Sequence, residues 1–197
     1  MESASIEKQD NIGISVSLFA SSKRPMLYKS LLKSLCGTSV ITEIVFSGPC
    51  SYEDINRAYS DSITECPDIQ SVLPRGRFHY IQTENIKPAQ CYEIARRYCY
   101  GEVVIWIADD CEFPNDVVGK AYRYWKQKNN EKLILSIQTK ESGYNLPKGA
   151  FFDMNMHRFF GYDIKSPLMA PLGLMSRNFL NELGGIDRRY VCGQYEN

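Results

Sequence analysis

The chain is a succession of short apolar runs, each closed by small or polar residues and followed by an amphipathic stretch. Ile14-Ser15-Val16-Ser17-Leu18-Phe19-Ala20 predicts a first strand of mixed alternation, broken by Ser21-Ser22-Lys23-Arg24. Pro25 suits the first turn of a helix with the apolar stripe Leu27, Leu31, Leu32 and Leu35, and Gly37 ends it. Glu43-Ile44-Val45-Phe46 predicts a second strand, closed by Ser47-Gly48-Pro49, with a helix from Tyr52 to about Tyr59 after it. Asp61 to Arg77, with Pro67, Pro74 and Gly76, predicts a loop. Phe78-His79-Tyr80-Ile81 predicts a third strand, and Thr83 to Lys87 a polar loop. Pro88 then opens a helix to about Tyr100, with Ile94, Ala95 and Tyr98 inward and Gly101 at its end.

Val103-Val104-Ile105-Trp106-Ile107 predicts a buried strand that runs straight into Asp109 and Asp110. A helix from Asp116 to about Gln127 and a strand from Lys132 to Ile137 follow. Strands alternating with helices imply an α/β fold with a mainly parallel sheet and right-handed crossovers. The composition shifts near residue 140. Gly143 to Gly149 is turn-rich, Phe151 to Tyr162 is crowded with aromatics and methionine, and Pro171 to Arg177 predicts a short strand. A helix from Asn178 to Leu183 stops at Gly184-Gly185. The expected organisation is one α/β half over residues 1–140 and a smaller second half of the same domain over 141–197.

A buried strand does not tolerate unpaired charge, so Asp109 and Asp110 are expected just past its carboxyl end. In an open α/β sheet that end is where ligands bind. Two carboxylates there suit Mg²⁺ or Mn²⁺, which take a few carboxylates together with phosphate oxygens. The plainer alternative makes them a loop start and the N-cap of a helix opening near Pro114.

The charge count bears on partners. With 23 basic and 23 acidic residues the net charge is +0, which argues against a general nucleic-acid or membrane-surface binder. Thirteen tyrosines fit either stacking platforms or a tyrosine-rich core. The seven cysteines are odd in number and contain no C-x-x-C pair, so free thiols in a reducing compartment are expected. Met1 to Asn11 has no apolar core, and no run is long enough to span a bilayer; the expectation is a cytoplasmic protein without a transmembrane segment. His79 and His157 are the only histidines, which disfavours a histidine-rich zinc site. No G-x-G-x-x-G or Walker loop is present, which disfavours dinucleotide dehydrogenases and P-loop NTPases.

Four segments in order resemble family 2-like glycosyltransferases. They are the first strand into Ser21-Ser22-Lys23-Arg24-Pro25 with its leucine-rich helix, Glu84 to Gln90 with the helix ending at Tyr100-Gly101-Glu102, the carboxylate strand with Cys111-Glu112-Phe113-Pro114, and Gly173 to Arg177 continued by Leu183-Gly184-Gly185-Ile186-Asp187 and Tyr195-Glu196-Asn197. The resemblance implies the GT-A fold, a Rossmann-like α/β/α sandwich with a small C-terminal acceptor-side region. It also implies metal-assisted transfer of a sugar from a nucleotide-diphospho-sugar donor to a glycan or other hydroxyl acceptor, with inversion favoured.

In that family an Asp-x-Asp-type motif ends the central strand. Here its first position is Ala108, its middle Asp109 and its last Asp110. The resemblance makes Asp110 the ligand of Mn²⁺ or Mg²⁺ and sets Asp109 at the ribose or the sugar. It puts the nucleotide near Phe19, Ala20, Ser21, Arg24 and Ser47, with Lys87 and Gln90 in reach of nucleotide or phosphates. Relatives often carry an Asp where Ser47 stands, which leaves the nucleotide open. In inverting relatives a late carboxylate deprotonates the acceptor; here that is Glu196, or a residue past Asn197 in a longer protein. His157, amid Phe151, Phe152, Met154, Met156, Phe159 and Phe160, is either a core histidine or a further metal or phosphate ligand. Asp187 either caps its turn or meets the acceptor, and Trp106 and Trp125 are expected to pack. Two competing readings stand beside the transferase. One is a GT-A domain that binds nucleotide-sugar or a protein partner without turnover. The other is a nucleotidyltransferase, disfavoured because Ser21 to Pro25 lacks glycine.

Overall fold

The structure is a computed structural model that describes residues 13–22, 28–73, 77–109, 111–113, 116–136, 152–153, 158–159 and 173–186. A six-stranded sheet forms its centre. The strands are β1 (Val16–Ser21), β2 (Thr42–Gly48), β3 (Phe78–Gln82), β4 (Val103–Trp106), β5 (Leu135–Ser136) and β8 (Gly173–Ser176); the two-residue strands β6 (Phe152–Asp153) and β7 (Arg158–Phe159) pair separately. Spatial order is β3-β2-β1-β4-β8-β5. β1 runs parallel to β2 and β4, and β2 parallel to β3; β8 is antiparallel to both β4 and β5. The late strand β8 therefore enters the same sheet as the early strands.

Both faces of the sheet are covered, which is why β1, β2 and β4 are near-continuous apolar runs. On one face Leu18, Ala20, Ile44, Phe46, Val103 and Ile105 meet the helices α1 (Tyr28–Ser34), α2 (Tyr52–Glu65), α3 (Ile69–Val72) and α5 (Val117–Lys128). On the other, Phe19, Val45, Val104 and Met175 meet α4 (Pro88–Arg97) and α6 (Arg177–Glu182). The three layers make the expected α/β/α sandwich. Trp106 is half-buried and packs on the α4 side.

Several boundaries differ from expectation. α2 runs six residues past Tyr59. Its inward positions are Ile55, Tyr59 and Ser62, and the Ser62 hydroxyl donates back to Ala58 O at 2.7 Å. A serine on the inward stripe satisfied within its own helix breaks the apolar pattern without breaking the helix. The predicted loop also contains α3. Tyr98 is exposed, not inward, because α4 ends at Arg97 and Tyr98 caps it; the buried positions are Cys91, Glu93, Ala95 and Arg96. The predicted strand from Lys132 shrinks to β5, since the N–H groups of Lys132 and Leu133 turn back onto Asn130.

Candidate functional site

β1 is the point at which strand order reverses: β2 and β3 lie on one side, β4 and β8 on the other. β1 and β4 lie side by side and parallel at that reversal, and the gap at their carboxyl ends is the expected ligand crevice of such a sheet. The residues just past those two ends meet. Ser22 Oγ donates to Asp109 Oδ2 at 3.0 Å, and both side chains are buried. Ile107 N donates to Phe19 O at 2.9 Å, which carries the β1–β4 pairing one residue beyond the strand. Tyr92 of α4 donates to Ile107 O at 2.7 Å and fixes the same segment from the helix layer. A Cys111 N to Ala108 O bond of 3.2 Å then closes a turn in which Asp109 holds the second position.

The neighbouring end of β2 is equally constrained. Ser22 N donates to Ser47 O at 2.9 Å. A Cβ on Gly48 would come within 1.8 Å of Ser22 O, so only glycine admits this approach of the two chains. The Tyr80 hydroxyl sits 2.6 Å from Gly48 O and 2.9 Å from Cys50 O, and Thr83 N donates to Gly48 O at 2.8 Å. Burial pushes the Tyr80 phenol and the Cys50 thiol above their ordinary values, so both stay protonated at neutral pH. Ser47 is fully buried, and its Oγ has no hydrogen-bond partner among the described residues.

α4 follows β3, and its first turn lies at this same edge of the sheet. Pro88 opens it, and Gln90 Oε1 reaches back to accept from Lys87 N at 3.0 Å. The positive end of the helix dipole there favours anions, and exposed Lys87 adds a mobile positive charge.

Of the expected site residues, Asp109, Ser21, Ser47, Lys87 and Gln90 fall along this edge. Phe19 and Ala20 are fully buried inside β1; Phe19 stacks edge-on against Tyr92, 6.1 Å between ring centres. Arg24, Asp110, His157 and Glu196 lie outside the described residues. Ser22 is not in the expected set, though it stands one place past Ser21 and donates to Asp109. A cavity of about 400 Å³ lined by Tyr100, Glu102, Trp125 and Arg177 opens at the opposite edge, by the amino ends of β1 and β4, and has no part in this site.

The donor chemistry at the β4 turn is carboxylate oxygen, the class that Mg²⁺ and Mn²⁺ take. Among the described residues no group of three or more His, Cys, Asp and Glu side chains comes together to hold an ion. At this turn the Asp109 carboxylate accepts from Ser22 Oγ.

A second constellation ties α4 to the turn after α6. Glu93 is buried and receives Arg96 Nε at 2.7 Å, Arg96 Nη2 at 2.8 Å and Arg97 Nε at 2.8 Å. It also accepts Ile186 N at 2.9 Å, and Arg96 donates to Asn181 Oδ1. Burial alone would raise the Glu93 carboxyl, but the arginine bonds and the Ile186 N–H outweigh it and hold it at about 2. Gly184 and Gly185 both adopt positive φ, and a Gly185 Cβ would lie 2.6 Å from Glu93 Oε2. The Gly-Gly pair thus ends α6 and lets the chain pass over the Glu93–Arg96 pair.

Among solved structures the chain is similar to glycosyltransferases. S. aureus TarS 1-349 in complex with UDP superposes with a TM-score of 0.66 at 14% identity, over 93% of this chain and 53% of that one. The same protein in complex with UDP-GlcNAc gives 0.63 at 16%, over 87% and 48%. The mannosyltransferase PcManGT from Pyrobaculum calidifontis, in complex with GDP-Man and Mn²⁺, gives 0.57 at 17%, over 91% and 49%. The fold is GT-A. At these identities the likeness extends to the fold alone, and the chain spans about half the length of the solved structures it matches. No family model matches the sequence, and no curated protein matches it either. Among the described residues no helix is long and apolar enough to cross a membrane.

Proposed function

We propose that this chain is a family 2-like glycosyltransferase that moves a sugar from a nucleotide-diphospho-sugar to a hydroxyl of a glycan or other acceptor, with metal assistance and inversion, residues 1–140 serving the donor and 141–197 the acceptor side. The observation that carries the proposal is the Ser22–Asp109 bond across the β1–β4 switch point. It fixes a carboxylate at the mouth of the crevice that a nucleotide would enter. The neighbours' complexes with UDP, UDP-GlcNAc, and GDP-Man with Mn²⁺ support the same ligand class.

In this reading Asp109 orients the ribose or the sugar. Ser21, Ser47 and Arg24 line the nucleotide, with the Phe19-Ala20 backbone beneath it. Lys87, Gln90 and the α4 N-terminus face the phosphates. Asp110, with His157, would hold Mn²⁺ or Mg²⁺, which supplies charge neutralisation for the departing diphosphate. Glu196, or a carboxylate in a longer protein, takes the acceptor proton. The Glu93 clamp sets the turn leading to Asp187 on the acceptor side. The cysteine pattern supports a reducing cytoplasm as its location.

The test is a thermal-shift titration with UDP and GDP, with and without Mn²⁺, followed by detection of nucleoside diphosphate release from candidate donors. Binding raises the melting temperature by mass action. A metal-dependent rise that is lost in Asp110→Ala supports the site. No rise with any nucleotide defeats the proposal. A rise without diphosphate release, even with a longer chain and supplied acceptors, favours the non-catalytic reading, for which the absent carboxylate at Ala108 speaks.

A further inference from the structure

Away from the crevice, two thiols meet on the outer layer. Cys36 lies in the 3-10 turn Leu35–Gly37 that ends α1, and Cys66 caps the C-terminus of α2. Their Sγ atoms are 2.7 Å apart, about 0.7 Å beyond a covalent S–S bond. Both residues are half-buried.

Each backbone is held independently of the sulfurs. Thr38 N donates to Leu35 O at 2.9 Å, Cys66 N to Ser62 O at 2.9 Å, and Ile69 N to Cys66 O at 3.1 Å. The flanking Leu35 and Ile69 are core residues. Lys29 and Lys33 of α1 both pair with Glu65, next to Cys66, and bring the two helices together at the same place. The fold thus presents two thiols about 0.7 Å short of bonding distance on backbones fixed by their own hydrogen bonds.

We propose that Cys36 and Cys66 form a redox modification site that closes to an intramolecular disulfide when the protein meets a peroxide. One thiolate attacks a peroxide oxygen, the O–O bond breaks, and one water and a sulfenic acid result. The second thiolate then attacks that sulfur and displaces hydroxide, which leaves as a second water. Two thiols are oxidised by two electrons, and one hydrogen peroxide is reduced to two waters. Burial pushes the Cys36 thiol up to about 12, so closure is slow at neutral pH and quickens as pH rises. In a reducing cytoplasm the resting form is the dithiol. Once formed, the bond ties α1 to α2 across 30 residues that include all of β2.

The test uses the full chain, reduced and then treated with hydrogen peroxide, blocked by alkylation and digested without reduction. Mass spectrometry is expected to find the Cys36 and Cys66 peptides joined and two hydrogens lighter than their sum. The melting temperature is expected to rise by about 5–10 °C and to fall back with dithiothreitol. Cys36→Ser and Cys66→Ser should each lack the rise. If either variant fails to fold, the wild-type peptide map and the other variant decide. Full alkylation of both thiols after peroxide, a bond to a different cysteine, or an unchanged melting temperature would overturn the proposal.

Discussion

Glu93 on α4 accepts the backbone N–H of Ile186 at 2.9 Å while Arg96, one turn on, grips the same carboxylate. A buried carboxylate so placed couples the turn after α6 to α4, and it makes stability depend on acid. Its pKa is about 2 in the fold against 4.5 ordinarily, so the unfolded chain binds more protons between those values. The stabilisation, roughly 3 kcal/mol, is complete above about pH 4.5 and is lost as pH falls through 2. Glu93→Gln should lower stability at neutral pH by about 3 kcal/mol and flatten the acid limb of a urea-unfolding series. An acid limb as steep as in the wild type would assign the dependence to other carboxylates.

Ser22 and Asp109 belong to different strands, and neither alone makes the crevice. Ser22→Ala removes one donor from a buried carboxylate and should cost about 1–3 kcal/mol of stability. If Asp109 orients the donor nucleotide, the same change loosens its aim and weakens UDP or GDP binding by about tenfold, equivalent to about 1.4 kcal/mol. Asp109→Asn keeps the shape and should weaken binding at least as much. Calorimetric titration measures both, and unchanged affinity in the two variants would remove the pair from the nucleotide site.

How far the sequence carried the fold depends on what each element buries. β1, β2 and β4 were legible because both faces are covered and their runs are mostly apolar, and helices between them dictated parallel pairing. The end of α2 was not, because Ser62 occupies an inward position and satisfies its hydroxyl locally. The carboxylate turn was legible from the apolar run that leads into Asp109 and Asp110, whereas Ser22 was not, since its partner lies 87 residues away. Glu93 and Arg96 carried a faint signal in their i,i+3 spacing, but that pattern describes countless exposed helix pairs. Only the arrival of Gly185 and Ile186 over them turns a surface motif into a buried clamp. The likeness in segment order pointed to the GT-A fold, and the superposition on known transferases agrees with it.

Gly48 is where β2 crosses the exit of β1. A methyl group there would lie 1.8 Å from Ser22 O, a backbone atom that cannot rotate away. Gly48→Ala must push the two strand ends apart, breaking the Ser22 N to Ser47 O bond and displacing Ser22 from Asp109. The expected cost is about 2–4 kcal/mol with weakened nucleotide binding. A chemical-denaturation midpoint equal to the wild type's would mean that the strands separate freely here.

Ser47 separates folding from recognition. Its Oγ is buried without a partner among the described residues, a condition that costs free energy in the fold. Ser47→Ala removes that penalty and keeps the small volume, so stability should hold or rise by up to about 1 kcal/mol. If the hydroxyl is kept for a nucleotide that settles over β2, the same variant binds UDP or GDP more weakly even as it melts no lower. A melting curve and a binding isotherm on one preparation read the two effects apart. A lower melting temperature would show that the hydroxyl has a structural partner, and an unchanged isotherm would move the base away from β2, toward β1 and the α4 N-terminus.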